Sequence, residues 1–312
     1  MSLRTESYAQ PVKVDSNIAG YVKGEPIKGN LNSIGSDTLN NLMTFWSEEF
    51  SRQYPAVKIQ VEGKGSSTAP PALIANTAQL APMSREMKGT EIDAFEKKFG
   101  YKPTQVRVAV DALAVFVNKD NPIKGLTLQQ VDAIFSRSLR RGATNVVQNW
   151  GQVGLTADWA RKPISLYGRN SASGTYGFFK DAVLQEGDFL DRVKEQPGSA
   201  SVVQGVATDI TAIGYSGVGY MTSSVRALAL DDGTGTGFIE PSADSVYAGE
   251  YPLSRFLYVY INKAPGEKMD RLTMEFLRLI LSRQGQEIVV KDGYYPLPGS
   301  VVIEELEKFG RE

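Results

Sequence analysis

The chain of 312 residues contains no cysteine and no histidine. Without cysteine there is no disulfide framework, no thiol nucleophile and no thiolate ligand for a metal. Without histidine there is no serine–histidine–aspartate triad and no imidazole-ligated zinc. An excess of charge of either sign is also lacking: 34 Lys and Arg stand against 35 Asp and Glu, for a net charge of −1. That leaves no basic field to hold a polynucleotide, so no nucleic-acid partner is expected. No apolar run is long enough to span a bilayer, and no membrane insertion is expected. The phosphate-cradling loop Gly-x4-Gly-Lys-Ser/Thr is missing, as are the nucleophile motifs Ser-x-x-Lys and Gly-x-Ser-x-Gly. Asp231-Asp232 lacks the rest of a calcium-loop pattern, so neither metal nor cofactor is expected.

What remains is an ordinary globular composition, 42% hydrophobic and 22% charged, at a length suited to one large domain or two modest ones. Residues 1–29 are polar and turn-rich and read as an N-terminal arm. No secretory signal is visible. Met1-Ser2-Leu3 looks like a vector-derived start, so the expectation is that a leader has been removed. Lack of cysteine fits a protein of the bacterial envelope.

From Asn32 onward, periodicity alternates between strand-like and helix-like segments, which places the chain in the α/β class. Leu39, Leu42, Met43, Trp46 and Phe50 recur at helical spacing, with Asp37 placed to cap them. Lys58–Glu62 reads as a strand, and residues 106–118 as a buried one. Thr127–Phe135 reads as a helix. The segment 140–162 is a loop holding Trp150 and Trp159. Pro163–Tyr167 is a strand, followed by a helix to about Leu190. Val202–Ala207 is a helix and Ala212–Tyr220 a strand. Leu253–Asn262 is a second long β segment. Helices over Met269–Leu281, Gly285–Val290 and Val301–Phe309 complete the chain. Gly233-Thr234-Gly235-Thr236-Gly237 resembles a cofactor loop, but no apolar helix follows it and Pro241 comes soon after. It reads as a surface turn.

Three turns share one design, in which a strand runs into a Gly/Ser/Thr-rich turn and then into a helix. They are Gly35-Ser36-Asp37-Thr38, Gly63-Lys64-Gly65-Ser66-Ser67-Thr68 and Gly168-Arg169-Asn170-Ser171-Ala172-Ser173-Gly174-Thr175. A helix N-terminus carries unpaired N–H groups and a partial positive charge. An arginine and several hydroxyls beside it can complete a site for a small oxyanion. Ordinary capping by Ser or Thr accounts for each turn taken singly. In open α/β sheets, however, ligands bind beyond the carboxyl ends of strands, where such turns cluster. Arg169 is expected to be the only cation at the centre of that cluster.

These motifs resemble the substrate-binding protein of the bacterial high-affinity phosphate ABC importer. The resemblance runs through Gly-Ser-Asp-Thr, Gly-x-Gly-Ser-Ser, Ala81-Pro82-Met83-Ser84, the Arg169 motif, Asn149-Trp150, Gly205-Val206-Ala207 and Ala212-Ile213-Gly214-Tyr215. It continues through Tyr251-Pro252-Leu253-Ser254-Arg255 and covers roughly residues 30–300. It implies a two-lobed periplasmic binding protein of the type II, flytrap kind, with two segments crossing between lobes near 108–116 and 253–260. Lobe one would be 30–110 plus 258–312, and lobe two 111–257.

Carried over residue by residue, the resemblance implies phosphate binding by Thr38, the backbone of Leu39, Ser66, Ser84, Arg169, Ser171, Ser173, Gly174 and Thr175. It departs from the family at two points. Ser171 stands where an aspartate often follows the arginine. The aspartate that accepts the proton of bound hydrogen phosphate aligns with Leu80 or Ser84. Asp37 and Asp111, near the expected cleft, are the candidates to replace it. The implied protein is a periplasmic monomer, not an enzyme, that captures inorganic phosphate and delivers it to an inner-membrane ABC permease. The alternatives are a receptor for another tetrahedral oxyanion such as sulfate, a secreted phosphate-binding protein and a phosphatase of the same fold.

Overall fold

A computed structural model describes residues 12–309. In chain order the first elements are β1 (Gly29–Gly35), α1 (Asn40–Gln53), β2 (Val57–Gly63), α2 (Ala69–Ile74), β3 (Ala81–Met83) and α3 (Gly89–Phe99). The long strand β4 (Thr104–Asn118) follows, then β5 (Gly125–Thr127), α4 (Leu128–Phe135), β6 (Ser165–Arg169), α5 (Gly174–Ala182), β7 (Lys194–Gln196) and α6 (Ser199–Thr208). The rest are β8 (Ala212–Gly217), β9 (Val225–Ala227), β10 (Ala229–Asp231), α7 (Ala243–Tyr247), β11 (Ser254–Ile261), α8 (Arg271–Ile280), α9 (Arg283–Lys291) and α10 (Gly299–Glu307).

The fold is two-lobed, and β4 explains how the lobes join. Its first half pairs antiparallel with β11, from Thr104↔Ile261 to Ala112↔Ser254. Its second half pairs with β8 from Leu113↔Gly217 to Val117↔Ile213, and with β9. One sheet therefore grows outward from each half of the same strand. On the first side β11 also pairs β3, while β1 pairs β2 in parallel and bridges to Leu80 just before β3. On the second side β8 pairs β6 and β6 pairs β7, both in parallel. β4 and β11 are the segments that run from one side to the other. The expected boundaries at 110/111 and 257/258 both fall inside these strands.

Burial explains the sequence pattern. β4 is buried from Val108 to Asn118, so it reads as a continuous apolar run rather than an alternation. On α1 the buried residues Leu42, Met43, Trp46 and Phe50 lie along one stripe. Trp46 Nε1 donates to the carbonyl of Gly285 at 2.9 Å, and Phe50 meets Phe276 edge to face. These contacts lock α1 against α8 and α9. On the second side Tyr215 stacks on Phe179 with centroids 3.9 Å apart, and Phe135 packs edge-on to both. This cluster fixes α5 over β8.

Within the arm, residues 1–11 lie outside the described residues, and 12–28 carry neither strand nor helix. The described part is tied down: Ile18 is buried, Arg283 N–H donates to the Ala19 carbonyl, and Asp15 accepts from Gly299 N–H at the start of α10. Gly233-Thr234-Gly235-Thr236-Gly237 is an exposed turn whose three glycines all have positive φ. Trp150 is buried and donates to the Thr211 carbonyl.

Candidate functional site

The three Gly/Ser/Thr turns converge, because each parallel strand delivers its helix N-terminus to the same edge of its sheet. Thr38 Oγ1 lies 2.9 Å from Thr175 Oγ1, so the first turn meets the third across the cleft. Ser67 N–H donates to the carbonyl of Ala172 at 3.1 Å, joining the second turn to the third. Gly65 makes this approach feasible in two ways. Its φ of +114° suits glycine, and a side chain there would sit 2.5 Å from the Ala172 carbonyl oxygen.

Behind these contacts lies a buried hydroxyl cluster. Ser36 Oγ donates to Ser84 Oγ at 3.0 Å, Ser84 Oγ lies 3.3 Å from Ser66 Oγ, and Ser84 N–H donates to Ser66 Oγ at 3.0 Å. Gly174 faces this cluster. A Cβ there would come within 2.6 Å of Ser84 Oγ and closer still to Ser66 Oγ. Ser173 caps α5, accepting from the N–H groups of Thr175 and Tyr176 at 3.1 and 3.3 Å. Thr38, Leu39, Ser66, Ser84, Arg169, Ser173 and Thr175 are all buried. Ser171 is not brought into the cluster. It is exposed at the cleft mouth, where it lines a cavity of about 730 Å³ with Ser67, Arg85, Lys180 and Tyr258.

Arg169 ends β6 with only 1% exposure. Its backbone N–H donates to Tyr215 Oη, and its guanidinium donates to Ser199 Oγ at 2.7 Å and to the Pro197 carbonyl at 3.1 Å. Nη1 also lies 3.0 Å from the Asp37 carboxylate, while Nε has no protein partner. Burial pulls the guanidinium below its ordinary pKa, and Asp37 works against that shift.

Asp37 departs from its expected role. The residue before α1 is Leu39, and no side chain caps that helix. Asp37 Oδ2 instead accepts from Ser199 N–H at 2.8 Å, so it caps α6 on the opposite side of the cleft. A short 3-10 turn over Asp37–Leu39 displaces the start of α1 and turns the carboxylate outward. A fourth helix N-terminus thus joins the cluster. Its sequence, Pro197-Gly198-Ser199, carried too little pattern to be singled out.

Arg255 corrects the expectation of one central cation. It is buried, and its Nη2 donates to Thr175 Oγ1 at 3.0 Å. Nη1 donates to the Ser84 carbonyl at 2.8 Å, and Nε and Nη2 both donate to Asp111 Oδ2. Asp111 Oδ1 accepts from Val218 N–H at 3.0 Å, so both of its oxygens are engaged. Arg255 and Asp111 are register partners on β11 and β4. The available signal was an arginine opening an otherwise apolar strand.

Among the described residues no cluster of carboxylates could hold a metal ion. No helix among them is long and apolar enough to cross a membrane. The arrangement is a cleft between two lobes, lined by neutral donors and by two arginines each paired with a carboxylate, and suited to enclosing a small oxyanion. Residues 22–284 match the PBP superfamily domain, and the chain belongs to that superfamily.

The similarity extends to individual proteins. The chain is 57% identical over 297 residues to the phosphate-binding protein PstS of Pseudomonas aeruginosa, covering 95% of this chain and 92% of that one. It is 28% identical over 279 residues to the protein SphX of Synechococcus elongatus, covering 88% and 80%. An ABC-type phosphate transport receptor from Vibrio cholerae shares the fold with a TM-score of 0.65 at 23% identity, covering 86% of this chain and all of that one.

Proposed function

We propose that this chain captures inorganic phosphate in the cleft between its lobes and delivers it to an ABC permease. It is a binding protein and not an enzyme. The observation that carries this reading is the convergence of Thr38, Ser66, Gly174 and Thr175, with the Arg169 guanidinium against Asp37, the residue before Thr38. Desolvating an anion is costly unless each oxygen is paired. Micromolar binding needs about 8 kcal/mol. Hydrogen bonds to a charged group contribute roughly 1.5–3 kcal/mol each, so a handful suffice even after lobe closure is included.

In this reading Arg169, Ser66, Ser84, the hydroxyls of Thr38 and Thr175, and the N–H groups of Leu39 and Gly174 hold the ligand. Ser173 organises the α5 N-terminus, and Ser171 lies at the mouth. Asp37 is the candidate to accept a phosphate proton, since both oxygens of Asp111 are engaged. The first lobe comprises 30–110 plus 258–312, of which 310–312 lie outside the described residues, and the second 111–257, with β4 and β11 crossing between them. The protein acts in the periplasm as a monomer.

Calorimetric titration with phosphate tests the reading, on the wild type and on Arg169→Ala. The wild type is expected to bind and the variant to show no measurable heat. Wild-type affinity in the variant would overturn the site. Titration with sulfate, on the wild type and on Asp37→Asn, tests the acceptor. Phosphate should be preferred by the wild type and less so by the variant, and an unchanged preference would remove Asp37 from that role.

A further inference from the structure

Arg255 stands at a junction that the phosphate-binding reading leaves without a task. It lies where the two crossover strands touch, directly opposite Asp111. From there its guanidinium reaches the first-lobe turn through the Ser84 carbonyl and the second-lobe helix through Thr175 Oγ1. Its guanidinium carbon also sits 5.1 Å from the centre of the Phe178 ring on α5. One planar group thereby touches both strands of the hinge and an element from each lobe.

The chemistry of the Thr175 contact is directional. A guanidinium has donors only, while a hydroxyl has one hydrogen and can accept or donate. Arg255 therefore compels Thr175 Oγ1 to accept on that side. The single hydroxyl hydrogen is left to point into the cleft, toward Thr38 Oγ1 or toward an oxygen bound there. Without Arg255 that hydrogen could turn either way, and the cradle would lose a fixed donor. Resting on the oxyanion-binding reading above, we infer that Arg255 is a positioning residue: from the hinge it sets Thr175 as a donor toward the bound anion. Asp111 holds the guanidinium in place for this and balances its charge. Arg255 acts through Thr175 and not as a further ligand.

A double-mutant cycle read by phosphate calorimetry tests this. Arg255→Gln is expected to weaken binding about tenfold in the wild-type background, a coupling of ordinary size for residues in one network. In the Thr175→Val background, where no hydroxyl remains to orient, the same change should have little effect. Equal fold losses in both backgrounds would overturn the inference, because Arg255 would then act independently of Thr175. Wild-type affinity in Arg255→Gln would overturn it as well. If Arg255→Gln fails to fold, the cycle is run with Arg255→Lys. That variant keeps the positive charge for Asp111, but a single ammonium held on Asp111 loses the fork that also reaches Thr175 Oγ1, and a coupling to Thr175→Val of the same sign is expected. A wild-type protein that binds no phosphate would instead refute the functional reading, a result separate from any outcome of the cycle.

Discussion

Replacing Gly174 by alanine should separate lobe closure from folding. The new methyl would lie 2.6 Å from Ser84 Oγ, where ordinary contact begins near 3.4 Å, and it would lie closer still to Ser66 Oγ. Relief requires the lobes to part by about 1 Å at this point. The Thr38–Thr175 contact at 2.9 Å and the Ser67–Ala172 contact at 3.1 Å would then pass out of hydrogen-bonding range. Two neutral hydrogen bonds at about 1 kcal/mol each, with a weakened charge-assisted contact between Arg169 and Asp37, amount to about 3 kcal/mol. Phosphate affinity should fall about a hundredfold. In an open molecule the same methyl meets no obstacle, and alanine favours helix over glycine. Melting without phosphate should therefore stay at or above the wild-type value. Calorimetry measures the affinity, and small-angle scattering with saturating phosphate measures whether the molecule still contracts. Unchanged affinity would refute the contact as an obstacle to closure. A lowered melting temperature without phosphate would show that α5, not closure, had been damaged.

Two stability predictions accompany it. Asp111→Asn leaves the buried Arg255 without its carboxylate, and losing one partner of a buried pair typically costs about 3–5 kcal/mol. A melting temperature lower by several degrees is expected, and an unchanged one would refute the pair's structural role. Burial raises the Asp292 carboxyl from 3.8 to about 7. Folding therefore favours its protonated form, and the associated stability is fully present below about pH 4 and lost as pH rises through about 7. Asp292→Asn should raise the melting temperature at pH 8 relative to the wild type, with the gap closing toward pH 4. A gap independent of pH would refute the assignment.

Local pattern made most of the scaffold readable. The apolar stripe of α1, the helical periodicity of Thr127–Phe135 and the buried run of β4 are set by neighbours a few residues away, and the structure places elements at each. The three converging turns were readable for the same reason. The cross-cleft pairings were not. Asp37 has a plausible local duty at the start of its own helix, and only the closed geometry turns it to Ser199, 162 residues away. Arg255 is one of 34 Lys and Arg residues. Its partner Asp111 is 144 residues distant, and the register that brings the two together is not marked by alternation in β4, which is buried on both faces from Val108 onward.

The two arginines buried within the cleft each face a carboxylate, Arg169 with Asp37 and Arg255 with Asp111, and Arg85 and Lys180 at its mouth are paired with Glu91 and Asp188. The consequence is kinetic. A cavity whose cations are cancelled at about 3 Å projects almost no field beyond its mouth, so it cannot draw an anion in from a distance. Capture should proceed at an unsteered encounter rate, nearly indifferent to ionic strength. Discrimination is deferred until the ligand is already inside, where oriented N–H and O–H groups act at contact range. A receptor built this way would work equally well in dilute and in saline surroundings.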